Sequence, residues 1–472
     1  MNLARRTWLS VFARLFGSLS GALAGVFLAR GLSVTDFGFL SSTFALVGVA
    51  TLASDLGVSQ TTTRLVSRHP KKSAEIGWIG ALQRGGLALL LTGLSCLVVL
   101  SQPVPVRIAS LVIAVSIIAA AGNVGQSLLL ARLRPDLVAR AGLVQSLIWT
   151  LGALFCWLLS AGPVAFSVFF LMSQVAQSCV VLALSRDLWK APRRVLMRRL
   201  AKPIIASSIT VGIGSLAWAA MQRLPIVFVT STAGAQEGAS LGVAGRILDV
   251  LFIFPTVAAA TLLPVIANRA GGSTQGEVER RSLALMTALG AVLAFGASIG
   301  GGAAAVIMFG SDYVAAAATV AVYSLVVLPF AVDCYWGTQL IAANRGSVMA
   351  WSGVASAIIS IALAILLTPT WGAVGGAFAV LLAQSLRALS LWLAASDLRQ
   401  RATGRDQVAS AILIVVAICA VALMAHVSSA LAAMPLLGLL TAGISSAGFA
   451  LVLFVLMQIR WREILAVFGR GA

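Results

Sequence analysis

RDLWKAPRRVLMRRLAK, residues 186–202, holds seven Lys and Arg residues between two long apolar blocks. A bilayer core about 30 Å thick takes about 20 apolar residues per helix. The chain before this stretch divides into six such lengths and the chain after it into eight. The basic stretch therefore reads as the waist of a polytopic membrane protein, a cytoplasmic linker on which the two blocks hinge.

Composition agrees. Hydrophobic residues make up 60% of the 472 and charged residues 10%, against about 25% charged in soluble domains, and mean hydropathy is +1.01. The apolar stretches are continuous, whereas the strands of a membrane barrel alternate over about 10 residues. The fold class is thus all-α. The expected spans cover about 8–30, 37–59, 77–100, 107–130, 137–160 and 163–185, then, after the linker, about 204–230, 241–266, 282–309, 314–340, 347–368, 374–396, 407–428 and 436–459.

An even number of spans leaves both termini on one side, and the Lys and Arg bias decides which. With Met1 inside, 26 of the 33 basic residues fall in cytoplasmic segments, Arg30 and Arg107 edge the opposite face, and Arg14, Arg84, Arg223, Arg246 and Arg387 fall inside spans. Both termini are expected in the cytoplasm. The net charge of +19 is scattered over short segments instead of forming one folded face, so it marks topology and contact with anionic membrane lipids, and nucleic acid is excluded as a partner. Arg5 and Arg6 with Ala22-Leu23-Ala24 imitate a cleavable signal. Arg14 interrupts that apolar run and the run continues past Ala24, so the segment reads as the first helix.

The five cysteines, Cys96, Cys156, Cys179, Cys334 and Cys419, lie singly in apolar spans, and His69 and His426 stand alone. No metal site, cofactor site or catalytic residue is expected from them. The chain has no phosphate-binding loop and no nucleotide-binding domain. A membrane-embedded glycan ligase or polymerase needs a large outer loop to hold its acceptor, and the longest outward segment is only residues 231–240. The pattern favours a transporter over an enzyme.

Ionisable residues inside a bilayer cost about 2.5–3.5 kcal/mol on insertion scales and by default mark a cavity or a partner. Arg14 and Arg84 lie near enough to the cytoplasmic boundary to snorkel. Arg223, Arg246 and Arg387 lie deeper and are the stronger candidates for an aqueous cavity. Asp249 and Asp333 cannot snorkel on a one-carbon stem. Arg246 and Asp249 share a helix face at i, i+3 and can neutralise each other, whereas Asp333 has no basic neighbour in its own span. Pro225, Pro255, Pro264 and Pro329 fall within spans after the linker, while earlier prolines fall at span edges, so bending is expected in the second block.

Several short patterns, in order, resemble a known family. Asp36-Phe37-Gly38 between the first two spans, Asp55-Leu56-Gly57 and Arg64 at the end of the second, and Leu241-Gly242-Val243-Ala244 entering the eighth are the first of them. Leu263-Pro264, Phe309-Gly310-Ser311-Asp312-Tyr313, Asn344-Arg345-Gly346 and Trp371-Gly372-Ala373-Val374-Gly375-Gly376-Ala377 follow. Together they resemble the polysaccharide-export flippases, the Wzx-like oligosaccharide-lipid transporters of the MOP superfamily. The resemblance implies a six-helix lobe over residues 1–185, the basic linker 186–202, a second six-helix lobe over 203–396, and a terminal helix pair with cytoplasmic tail over 397–472. It further implies the bacterial inner membrane, alternating access, and an undecaprenyl-pyrophosphate-linked oligosaccharide as cargo, with a polysaccharide polymerase and a chain-length regulator as partners.

The family has no catalytic motif to transfer, so the expected site rests on the buried charges. Arg223, Arg246 and Arg387, with Arg14 and Arg84, are expected to bind the pyrophosphate through forked guanidinium donors. Asp333 is expected to couple transport to H+, with Na+ the alternative ion, and Asp249 to support Arg246. A lipid II flippase and a drug antiporter of the same superfamily are the competing readings. The match at Asp36 to Gly38 disfavours the first, and the excess of arginine over aspartate inside the spans disfavours the second.

Overall fold

The computed structural model describes residues 3–268, 275–343, 345–395, 434–436, 438–443 and 446. Among them every regular element is helical. The helices are α1 (Leu3–Gly31), α2 (Val34–Asp55), α3 (Val58–Arg68), α4 (Ser73–Val99), α5 (Val104–Ala121), α6 (Val124–Ala131), α7 (Pro135–Leu158) and α8 (Pro163–Ser185). They continue as α9 (Arg194–Thr232), α10 (Ala235–Leu251), α11 (Ile253–Asn268), α12 (Gln275–Phe309), α13 (Ala317–Ser324), α14 (Val327–Ala342) and α15 (Gly346–Ala394). Ten helical segments of the described residues are long and apolar enough to cross a membrane, and large apolar side chains such as Leu89, Leu97, Leu151 and Leu366 are exposed on their surfaces, as contact with lipid requires. The expected spans 407–428 and 436–459 lie almost wholly outside the described residues.

Local chemistry explains the boundaries. The Ser33 hydroxyl accepts the Asp36 amide at 3.1 Å and caps α2, with Asp36 in the first turn, where the helix dipole favours a negative charge. Pro135 and Pro163 open α7 and α8, at a position whose missing N–H has no helical partner to lose.

Breaks occur in both blocks, not only where proline predicts them. The second span stops at Leu56 (φ 32°) and Gly57 (φ 76°) and resumes as α3. A Cβ on Gly57 would stand 2.3 Å from the Ser208 carbonyl oxygen, and one on Gly212 would stand 2.2 Å from the Leu56 carbonyl carbon. Here α9 crosses the bend backbone against backbone, which two glycines alone permit. The fourth span breaks at Gly122-Asn123, where Asn123 donates to Gln177 at 3.1 Å and Ser178 donates to the Ala119 carbonyl at 2.5 Å. After the linker, the second and fourth spans are again the broken ones, at Phe252 and at Leu325-Val326. Pro255 and Pro329 sit at the third position of α11 and α14, where an N–H has no intrahelical partner. They start new helix segments and do not kink old ones.

The 49 residues of α15 contain a turn at Gly372 (φ 53°), which separates the two expected spans 347–368 and 374–396. Glu237, in the first turn of α10, accepts the Ala373 amide at 2.7 Å and so caps the second arm. A Cβ on Gly372 would lie 2.7 Å from that same carboxylate oxygen, and the Trp371–Ala377 pattern is thereby explained. Replacing Glu237 with Ala is expected to destabilise the protein by about 1 kcal/mol through the lost cap. Gly372→Ala should cost more, because it adds backbone strain to the same loss. Thermal unfolding of both variants in lipid checks the order.

The helices pack into two compact units, Met1–Ser231 and Thr232–Ala472. The division falls after α9 and not at the basic linker, and the apolar side of the linker is the reason. Leu188, Trp189, Met197 and Leu200 pack on a core of Val66, Ile76, Ile79, Leu128 and Ile204. The rings of Trp78 and Trp189 meet edge to face at 5.5 Å, and the Trp78 indole donates to the Lys190 carbonyl at 3.2 Å. The linker is therefore packed against the first unit.

Candidate functional site

The intramembrane charges fall into pairs within each unit. In the first, the Arg84 guanidinium on α4 lies 2.8 Å from Asp55 Oδ1, at the end of α2. Ser59 Oγ donates to the same oxygen at 2.5 Å. Arg84 is 7% exposed, so it does not snorkel as expected. Burying an unpaired cation in hydrocarbon is costly, and a carboxylate two helices away in sequence meets that cost locally. The bend at Leu56-Gly57 follows directly after Asp55, so the pair braces the break.

In the second unit, Asp333 on α14 faces the second arm of α15. Its Oδ1 lies 3.4 Å from Arg387 Nε, and its Oδ2 accepts Gln384 Nε2 at 3.0 Å. The Arg387 and Asp333 side chains are 7% and 5% exposed. Arg387 Nη1, Gln384 Oε1 and the nearby Trp336 Nε1 are buried with no hydrogen-bond partner. Asp333 and Trp336 share one helix face at i, i+3, and so do Gln384 and Arg387, which makes this a compact polar inclusion in an apolar core. It joins two residues that the sequence reading assigned separately, Arg387 to the pyrophosphate and Asp333 to ion coupling.

Arg223 differs from both. It is half-buried on α9 in the first unit and makes no hydrogen bond or ion pair within the described residues. Its side chain lies across Gly48 of α2. A Cβ built on Gly48 would be 3.5 Å from both Arg223 Cδ and Nη1, so the glycine opens the lane in which the guanidinium rests. Arg246 is half-buried on α10, and Asp249, one turn on, is exposed. Arg14 lies on α1, but its side chain is outside the described residues. No three His, Cys, Asp or Glu side chains gather as metal ligands would among the described residues.

Asp55, Ser59 and Gln384 are the participants that sequence reasoning passed over. Asp55 lies near the end of the drawn span 37–59, so the depth argument that singled out Asp249 and Asp333 did not reach it. Nothing in the local sequence marked Gln384.

A family model described as "Polysaccharide biosynthesis protein" matches residues 3–269. No curated protein matches the sequence. Among solved structures, the lipid II flippase MurJ in an inward closed conformation aligns with a TM-score of 0.68 at 13% identity, over 94% of this chain and 98% of that one. An inward-facing multidrug resistance MATE family transporter of the MOP superfamily aligns with a TM-score of 0.60 at 12% identity, over 88% and 99%. A MOP superfamily transporter from Pyrococcus furiosus aligns with a TM-score of 0.53 at 13% identity, over 87% and 96%. The fold is that of these multi-pass transporters.

Proposed function

The chain belongs to the polysaccharide biosynthesis protein family, and from that premise we propose that it is a flippase. Its cargo would be an undecaprenyl-pyrophosphate-linked oligosaccharide, moved from the cytoplasmic to the outer leaflet of a bacterial inner membrane by alternating access. A polysaccharide polymerase and a chain-length regulator would then use the product. The observation that carries this reading is Arg223, a half-buried guanidinium within a membrane span that no group among the described residues neutralises. A cation kept in that state at the expense of hydration suits a phosphate-bearing ligand, which supplies both charge and acceptors when it arrives. Arg84 and Arg387 are already paired with Asp55 and Asp333, each within its own unit, and are not free to bind phosphate directly. Asp333 remains the proposed coupling carboxylate, with H+ as the ion.

Deleting the gene is expected to leave undecaprenyl-linked glycan on the inner leaflet while isolated membranes retain glycosyl transfer and polymerisation. Loss of either enzymatic step from those membranes would instead identify a ligase or polymerase. A lipid II flippase shares this headgroup chemistry. Restoration of peptidoglycan precursor export in a strain depleted of its own lipid II flippase would favour that reading.

A further inference from the structure

The strip of α2 between Phe44 and Gly48 carries more than the Arg223 lane. One turn before Gly48, the Phe44 ring stands edge-on to Phe170 of α8, with centroids 4.9 Å apart and planes at 84°. It also lies 6.0 Å from Trp149 of α7, and Trp149 meets Phe170 at 5.2 Å and 74°. Three helices thus contribute one ring each to a triad in which Phe170 meets both other rings in the edge-to-face geometry that aromatic quadrupoles prefer, and Phe44 and Trp149 are tilted at 53°. Phe44 and Phe170 are half-buried and Trp149 is 9% exposed. Positions four apart share a helix face and lie about 6 Å apart along the axis. An aromatic ring and an uncommitted guanidinium therefore stand side by side within the first unit.

This spacing matches a sugar phosphate. In a sugar esterified at its anomeric oxygen one bridging oxygen joins the ring to the phosphorus, so a single ligand can reach both groups, and the C–H face of a pyranose packs on an aromatic ring. A platform whose rings already brace one another loses little conformational freedom on binding. Apolar packing alone would account for the triad. It does not account for an arginine that has no partner among the described residues and lies across Gly48 of α2.

We propose that Phe44, braced by Trp149 and Phe170, is the platform for the sugar directly attached to the pyrophosphate, with Gly48 acting as the positioning residue that keeps Arg223 flat for the phosphate. The proposal rests on the flippase reading and names the part of the cargo that the first unit recognises.

The test uses the full chain in lipid nanodiscs with two probes, a polyprenyl pyrophosphate bearing one N-acetylglucosamine and the same lipid without sugar. Phe44→Ala is expected to weaken binding of the sugar-bearing lipid about tenfold, which is about 1.4 kcal/mol, and to leave the bare lipid unaffected. The bare lipid thus reports that the variant is folded. Phe44→Tyr should keep the preference for the sugar. Gly48→Leu should weaken both lipids by displacing Arg223, whereas Gly48→Ala, whose Cβ would make only ordinary contact, should bind both. Equal loss of the two lipids in Phe44→Ala, no loss of either, or failure of Tyr to keep the preference overturns the platform while the flippase reading stands. Binding of neither lipid by the wild type overturns both.

Discussion

Arg223→Gln is expected to lower export of the lipid-linked glycan by about tenfold or more in cells where the variant reaches the membrane at the wild-type level. The estimate follows from losing charge-assisted hydrogen bonds worth about 1.5–3 kcal/mol. Lys at the same position should recover part of the loss, because it keeps the charge but presents no planar fork to two phosphate oxygens. Gln should cost the fold little, since among the described residues Arg223 has no carboxylate that would be left unpaired. That expectation separates Arg223 from Arg84 and Arg387. Export at the wild-type rate in Arg223→Gln would remove the observation on which the proposed function stands.

Breaking the Asp333–Arg387 pair is expected to do the reverse, with a large effect on stability that precedes any effect on transport. Asp333→Asn leaves a buried guanidinium without its counter-charge, and Arg387→Gln leaves a buried carboxylate without its own. Each single change should destabilise the second unit by about 3 kcal/mol. Together they leave two neutral amides beside Gln384, and the double variant should recover most of the loss. The double-mutant cycle is read from thermal unfolding in lipid, and single variants as stable as the wild type would show that the pair contributes nothing. The double variant also tests coupling without an unpaired charge to confuse it. In proteoliposomes with an imposed pH gradient it should lose the response to the gradient and keep downhill exchange, and an unchanged response would exclude Asp333 as the proton-coupling group.

How far these residues were legible depended on how local their causes are. The turn inside α15 was readable as two spans because Trp371–Ala377 interrupts the hydropathy. The break at Leu56-Gly57 was not readable in the same way. Gly57 is left-handed there because α9 passes at backbone distance over Gly212, about 150 residues later in the sequence. Proline pointed to bending in the second block and missed the first, where Gly57 and the Gly122-Asn123 step do the same work. The rule that a mid-span carboxylate is noteworthy found Asp333 and passed over Asp55, which lies near the end of its span. It could not say that either one already faced an arginine.

By itself the sequence determined the all-helical class, the length and apolar character of the described spans, and the resemblance that the family match supports. These are properties each helix has alone, since a bilayer requires every span to be long enough, apolar enough and internally hydrogen-bonded whatever its neighbours are. Only the tertiary structure decided which charges are spent and which are free. A helical pattern tells which face a side chain occupies but not which helix lies opposite. Asp333 meeting Arg387, Asp55 meeting Arg84, and Arg223 lying across Gly48 follow from how the faces of α14 and α15, α2 and α4, and α2 and α9 come together in packing.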